Sequence, residues 1–219
     1  MNVPLTLTKA KQRFEKIKTE EVSFVLSLSQ LARKVGARHY PIKGALRESL
    51  CEMSFLAIFI AWEEFLESTF EQYLVLGRKR ISSVRPKIQL DNLTTARDLI
   101  LGERRQYVEW SDPDLVRARA KIFFRDGEPY ESALGNALTH LNRIRIVRNC
   151  SVHHSKYAAD KFHSMIRELY GYGKKTKPGR FLLEPPTPGA MPAVSSSAYG
   201  SMFELFAEVL SAACGQIVP

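Results

Sequence analysis

Arg148, Asn149 and His153 are the residues of this chain whose types and spacing can do chemistry together. They stand in the run Leu141-Asn-Arg-Ile-Arg-Ile-Val-Arg148-Asn149-Cys-Ser-Val-His153-His154-Ser155. Cleavage of RNA by its own neighbouring 2′-hydroxyl needs proton transfer, charge stabilisation on the scissile phosphate and alignment of the attacking oxygen. A histidine serves the first near neutral pH, because an unperturbed imidazole titrates at about 6.5. An arginine serves the second, since its planar fork matches phosphate oxygens and its charge does not titrate away. An amide such as Asn149 can orient either the phosphate or the imidazole. In this scheme His153 is the general acid or base, Arg148 the phosphate clamp and Asn149 a positioning residue. The structural alternative is that Arg148 pairs with an acidic side chain of the long upstream helix while His153 caps a helix end.

The element that must position these residues reads as an amphipathic helix. Leu134, Ala137, Leu138, Leu141 and Ile144 recur at the three- and four-residue steps of a core-facing stripe. Seven residues beyond Leu141 the stripe reaches Arg148, a charge on a buried face that needs a partner or an anionic ligand. Asn149 and His153 are one turn apart and share a face. Arg148 and His153 diverge by roughly 140° on a straight helix. They converge only if the arginine reaches round, if the helix is irregular, or if a second copy of the chain faces the first. His154 falls on another face and is the reserve proton carrier, while His39, His140 and His163 read as ordinary histidines. Arg145, one turn before Asn149, extends a nonspecific phosphate track.

Arg148-Asn149-x-x-x-His153 resembles the signature of the HEPN superfamily, an arginine often followed by asparagine with a histidine a few residues later. Ala57-Ile-Phe-Ile-Ala-Trp62-Glu63-Glu64-Phe65-Leu66-Glu67 is similar to the Trp-Glu-rich helix of its RiboL-PSP branch. The resemblance covers roughly residues 45–170. It implies an all-α, HEPN-like helical bundle, metal-independent endoribonuclease activity in a cleft between two subunits, and hence a homodimer. It also implies no cofactor and no metal, Glu63 as the partner of Arg148, and a toxin or phage-defence role. A solvated helix face is the alternative reading for Glu63 and Glu67. Some members pair with an antitoxin and carry a tyrosine two residues after the motif histidine. Ser155 stands there in this chain, with Tyr157 the nearest tyrosine, so an antitoxin or regulatory partner would not act through that residue. Two rival functions remain: a non-catalytic HEPN module that binds RNA or nucleotide through the same cleft, and a structural helical partner protein.

Composition sets the frame. The chain has 219 residues, 45% of them hydrophobic and 25% charged, as in an ordinary globular domain. A net charge of +9 points to an acidic partner, of which RNA is the one the motif favours, unless the excess Lys and Arg only solvate a helical surface. Cys51, Cys150 and Cys214 have no CxxC spacing, which fits a reducing cytoplasm and neither a disulfide framework nor a zinc knuckle. His153, His154 and His163 offer no pair on one turn for a metal. The first residues show no signal-peptide pattern, and the apolar run 55–62 is too short to span a bilayer, so a cytoplasmic protein without membrane attachment is expected.

Along the chain the hydrophobic period predicts helices over about 8–34, stopped by Gly36, and over about 46–76, where Leu56 and Ile60 widen the apolar surface beyond one neighbour's need. A connection at Tyr40-Pro41 joins them, and a basic connection fills 81–90. A shorter helix is expected near 93–107, and Ser111-Asp112-Pro113 opens another. After a turn at 125–129, the motif helix runs from about 130 through His153. A helix over 156–170 carries Tyr157, Phe162, Ile166 and Leu169 as its stripe. Residues 171–197 read as a basic Pro- and Gly-rich loop or arm, pinned by Phe181 and its neighbours. Lys174, Lys175, Lys177 and Arg180 supply sequence-independent RNA contacts there. A last helix is expected over about 199–214. The expected organisation is a helical domain over 1–170, the arm over 171–197 and a C-terminal helix within 198–219 packed on the bundle.

Overall fold

The computed structural model describes residues 5–33, 43–80, 84–102, 108–153, 155–186 and 199–219. Among them the regular structure is helical: α1 (Leu5–Arg33), α2 (Gly44–Arg80), α3 (Leu93–Leu101), α4 (Pro113–Phe123), α5 (Tyr130–Asn136), α6 (Leu138–Val152), α7 (Lys156–Tyr170), α8 (Pro178–Leu182) and α9 (Met202–Ile217). The only extended pairing among the described residues is an isolated bridge between Pro86 and Phe124. The fold class is all-α, as the hydrophobic periods predict. No helix among the described residues is long and apolar enough to cross a membrane.

Local chemistry sets most boundaries. Asp112 caps α4 by accepting from the Asp114 and Leu115 amides, and Pro113 occupies the first turn. Asn92 accepts from the Thr95 amide at the start of α3. That helix stops at Leu101, short of the expected 107, because Gly102 takes φ 68° and turns the chain. Ser155 caps α7, and Gly171 at φ 74° ends it. The motif helix is two helices rather than one. It breaks at Ala137, whose ψ of 7° leaves the helical range after Gly135-Asn136, a pair of weak helix formers. The expected stop at Gly36, the Tyr40-Pro41 connection, residues 81–83 and 103–107, and the arm over 187–198 lie outside the described residues, as do His39 and His154.

The chain divides into two compact units. The first comprises Met1–Glu15, Ile60–Asn142 and Leu210–Pro219. Its centre is Phe70, fully buried, with the rings of Trp110, Phe123, Phe124 and Tyr130 within 4.9–5.8 Å of its own, centroid to centroid. Such aromatic pairs contribute about 0.5–1.5 kcal/mol each beyond their buried area. Polar groups in this core are satisfied internally: Tyr130 donates to Thr69 Oγ1 at 3.0 Å, and Tyr73 donates to the Ile217 carbonyl. Glu71 is only 4% exposed and accepts two bonds from Arg97, at 2.8 and 3.1 Å.

The second unit comprises Lys16–Phe59 and Arg143–Val209. Phe55, Phe206, Phe181 and Phe162 form a chain of ring contacts through its core. The segment expected to be a loop or arm contributes to this core over its described part. Phe181 and Leu182 are fully buried on α8, and the Gly179 amide donates to Glu52 Oε1 at 2.9 Å. Helix α8 lies so close to α2 that a Cβ at Gly179 would collide with the Glu48 carbonyl oxygen. Pinning by Phe181 holds, but the segment around it is a docked helical turn rather than free chain.

Candidate functional site

Helix α6 buries Leu141, Ile144 and Val147, a stripe of three-residue steps. Arg148 follows Val147 and is half-buried, its guanidinium carbon 5.6 Å from the centroid of Phe59 on α2. An arginine over an aromatic face is favoured electrostatically and keeps its charge. Its Nη1 also donates to Asn149 Oδ1 at 3.0 Å. The first two motif residues therefore touch directly, although they are neighbours in sequence and their Cβ atoms diverge. The asparagine oxygen holds one arm of the fork and leaves Asn149 Nδ2 as a donor for a ligand.

His153 is the first residue beyond α6, and its amide donates to the Asn149 carbonyl at 2.8 Å. That bond closes the last turn and ties the backbone of His153 to Asn149, while its imidazole is exposed. Asn149 thus links the motif, bonding Arg148 through its side chain and His153 through its carbonyl. The helix expected to run through His153 ends one residue before it, because Ser155 starts a new cap for α7 with its Oγ on the Ala158 amide. The imidazole therefore projects from a connection between two helices rather than from a helix face.

The other sequence-predicted residues fall as follows. Arg145 is half-buried on α6, one turn before Asn149. Glu63 is half-buried on α2 and belongs to the first unit. In the basic segment Lys175, Lys177 and Arg180 are exposed. Lys174 is engaged: its Nζ bonds Glu184 at 2.6 Å and lies 4.6 Å from the centroid of Tyr170, whose hydroxyl also donates to Glu184. Cys150, beside the motif, is half-buried. Burial raises its thiol pKa and the Glu52 carboxylate raises it further, so it stays protonated and is no nucleophile. Burial similarly pushes Cys51 up to about 12. Among the described residues no three His, Cys, Asp or Glu side chains gather as metal ligands would.

One residue was misplaced by periodicity. Tyr157 was expected in the α7 stripe and is 72% exposed, with Lys161 Nζ 5.6 Å from its ring centroid. The buried stripe runs through Ala158, Phe162, Met165, Ile166 and Leu169, so Phe162, Ile166 and Leu169 fall where expected and Ala158 takes the place of Tyr157. The small Ala158 at the four-residue step before Phe162 was the signal available. An exposed tyrosine four residues after His153 is a ready platform for a nucleobase, since every base offers a π-face.

In the comparisons with known proteins, no family model, no curated protein and no solved structure matches this chain.

Proposed function

We propose that this chain is a metal-independent endoribonuclease of the HEPN type, working with no cofactor. The observation that carries the reading is the end of α6, where Arg148 bonds Asn149 and an exposed His153 follows one residue past the helix. The three residue types needed for transesterification within RNA are gathered over six residues, with basic side chains and an exposed tyrosine nearby in sequence. In the reaction a base removes the proton of the 2′-hydroxyl, and O2′ attacks the adjacent phosphorus. The P–O5′ bond breaks, and an acid protonates the departing O5′. The products are a 2′,3′-cyclic phosphate and a 5′-hydroxyl. His153 supplies one of the two proton transfers. Arg148 carries the charge gathering on the phosphate oxygens, and the Asn149 amide orients them. Lys175, Lys177 and Arg180 add affinity without reading sequence.

A homodimer belongs to the same proposal. Leu46, Met53 and Ile60 recur every seven residues along α2 and are 53%, 66% and 54% exposed, more apolar surface than a solvated helix presents. A two-fold pair of chains would bring two histidines to one cleft, one as base and one as acid. The HEPN bundle and a toxin or defence role with an antitoxin or regulatory partner follow from the motif resemblance alone, and a cytoplasmic setting from the scattered cysteines and the lack of a signal-peptide pattern.

The test is incubation with mixed RNA in EDTA, with analysis of product ends. Cyclic phosphate ends, and no cleavage where the scissile residue is 2′-deoxy, are expected. A 5′-phosphate product that needs added magnesium or manganese contradicts the scheme. Random exchange of wild-type and His153→Ala subunits tests the dimer. Activity should follow the square of the wild-type fraction, whereas a linear fall removes the shared site.

A further inference from the structure

The second unit contains another concave site, built by the first turn of α2 and by α8. Gly44, Arg47, Glu48, Arg180, Leu183 and Glu184 line a cleft of about 320 Å³. This is at the small end of the range for ligand clefts, about 300–1,000 Å³. Helix α8 is held there by two contacts already described, the Gly179 amide on Glu52 and the close approach of Gly179 to the Glu48 backbone. Those contacts hold α8 against α2, and Arg47 from one helix and Arg180 from the other both line the cleft.

Two guanidinium groups, Arg47 and Arg180, and two carboxylates, Glu48 and Glu184, line the cleft. Glu184 is already neutralised by Lys174 at 2.6 Å and further occupied by the Tyr170 hydroxyl. Lys174 thus offsets Glu184, which leaves Arg47 and Arg180 of the lining facing Glu48, while Glu52, outside the lining, accepts from the Gly179 amide. Burial with the Tyr170 hydroxyl bonded to Glu184 also raises the tyrosine's own pKa, so it stays a neutral donor. Gly44 opens α2, and the Leu46 and Arg47 amides bond the Lys43 carbonyl. Among the described residues nothing lies within 4 Å of where a Gly44 Cβ would be. Arg47 Nε is buried and meets no acceptor among the described residues, a costly state for a charged group that a bound anion would relieve by reorienting the fork.

The second carboxylate, Glu48, sets what kind of anion fits. A bare oxyanion facing it would be repelled, whereas a ligand that also carries hydroxyl groups can donate to it. The lining contains no aromatic ring on which a base could stack. We propose that this cleft binds a sugar phosphate: Arg47 and Arg180 hold the phosphate monoester, and Glu48 accepts from the sugar hydroxyls. A free sugar phosphate and the sugar-phosphate part of a nucleotide present the same chemistry. The site does not use Arg148, Asn149 or His153, and Arg180 is the one residue it shares with the proposed RNA contacts.

Calorimetric titration of the full chain with ribose 5-phosphate, inorganic phosphate, ribose and adenosine 5′-monophosphate tests it. Ribose 5-phosphate should bind saturably and more tightly than inorganic phosphate, and ribose alone should not bind. Equal affinity for adenosine 5′-monophosphate means the site accepts nucleotides, whereas its rejection means the free sugar phosphate is the ligand. Arg47→Gln and Arg180→Gln should each weaken ribose 5-phosphate by roughly 10- to 100-fold, the usual effect of losing a charged hydrogen bond. Glu48→Gln should bring its affinity down to that of inorganic phosphate. Arg47→Lys, which retains charge and volume, guards against misfolding and should recover part of the affinity lost in Arg47→Gln. His153→Ala should leave this binding unchanged, which separates failure of this site from failure of the nuclease. Absence of saturable binding to wild-type protein at millimolar ribose 5-phosphate overturns the proposal. So does unchanged affinity in Arg47→Gln and Arg180→Gln proteins that melt as cooperatively as wild type.

Discussion

The core of the first unit and the end of α6 in the second both place polar groups beside aromatic rings, with opposite results. Around Phe70 every polar group named is consumed by the chain itself: Tyr130 by Thr69, Tyr73 by Ile217, Glu71 by Arg97. At the end of α6, Arg148 packs on Phe59 and bonds Asn149, yet Asn149 is only half-buried and His153 is exposed. Ser151 Oγ, in the same turn, is buried without a partner among the described residues. Internally closed polar groups stabilise, because an unmet buried donor or acceptor costs about 1–3 kcal/mol. Groups left exposed give up that stability and are available to a ligand. On the proposed function, stability belongs to one region and chemistry to the other, and variants can separate the two.

The largest stability effect should come from Phe70→Ala, which empties the centre of the aromatic cluster. A loss of about 3–5 kcal/mol is expected, read from the denaturant midpoint, with cleavage per folded molecule unchanged. A comparable loss of cleavage in the folded fraction would break the division between the regions. Gly179→Ala should come next. The added methyl meets the Glu48 backbone, and displacing α8 should cost about 1–3 kcal/mol in thermal or chemical unfolding.

A smaller effect concerns Glu131, whose carboxyl pKa is lowered first by its hydrogen bonds from Arg117, then by Lys121 and the charges of both. Its folded-state pKa lies below its unfolded value. The stabilisation is therefore complete above the ordinary carboxylate value of 4.5 and is lost as pH falls through the depressed folded value. The melting temperatures of wild type and Glu131→Gln should differ at pH 7 and converge in acid, the pair contributing about 1 kcal/mol or less. A gap that widens in acid would reverse the assignment. The smallest effect should come from the basic segment. Lys175 and Lys177 are exposed, so replacing both by Ser should flatten the log-log salt dependence of RNA binding by about 1.4, at roughly 0.7 per phosphate contact. Replacing Lys174 should change that slope little, because Glu184 already holds it.

The parts of the fold legible in the sequence are those with strong local chemistry. The apolar period of α2 and the Asp112-Pro113 start of α4 each have one dominant cause, and the structure follows both. The motif residues stand out for a different reason, since Arg148 falls on the stripe of Leu141 and Ile144 where an apolar residue is expected. What escaped the reading depended on competition between weak preferences. The break at Ala137 sets two poor helix formers against a continuous apolar stripe. Gly102 ends α3 within a pattern that still reads as helical. The folding of 178–182 into α8 depends on burial of Phe181 and Leu182 and on the shape of α2 beneath Gly179, neither of which is a local property. Tyr157 shows the finest limit: at the first position of a stripe otherwise read in phase, a ring expected in the core is exposed and Ala158 is buried instead.

The central claim is that His153 transfers a proton during RNA cleavage, and its most direct measurement is single-turnover cleavage by His153→Ala in EDTA, alongside its unfolding curve. The expected result is a rate lower by about 100- to 10,000-fold with an unchanged melting temperature, since an exposed imidazole contributes chemistry rather than packing. Cleavage at the wild-type rate by the folded variant would contradict the account.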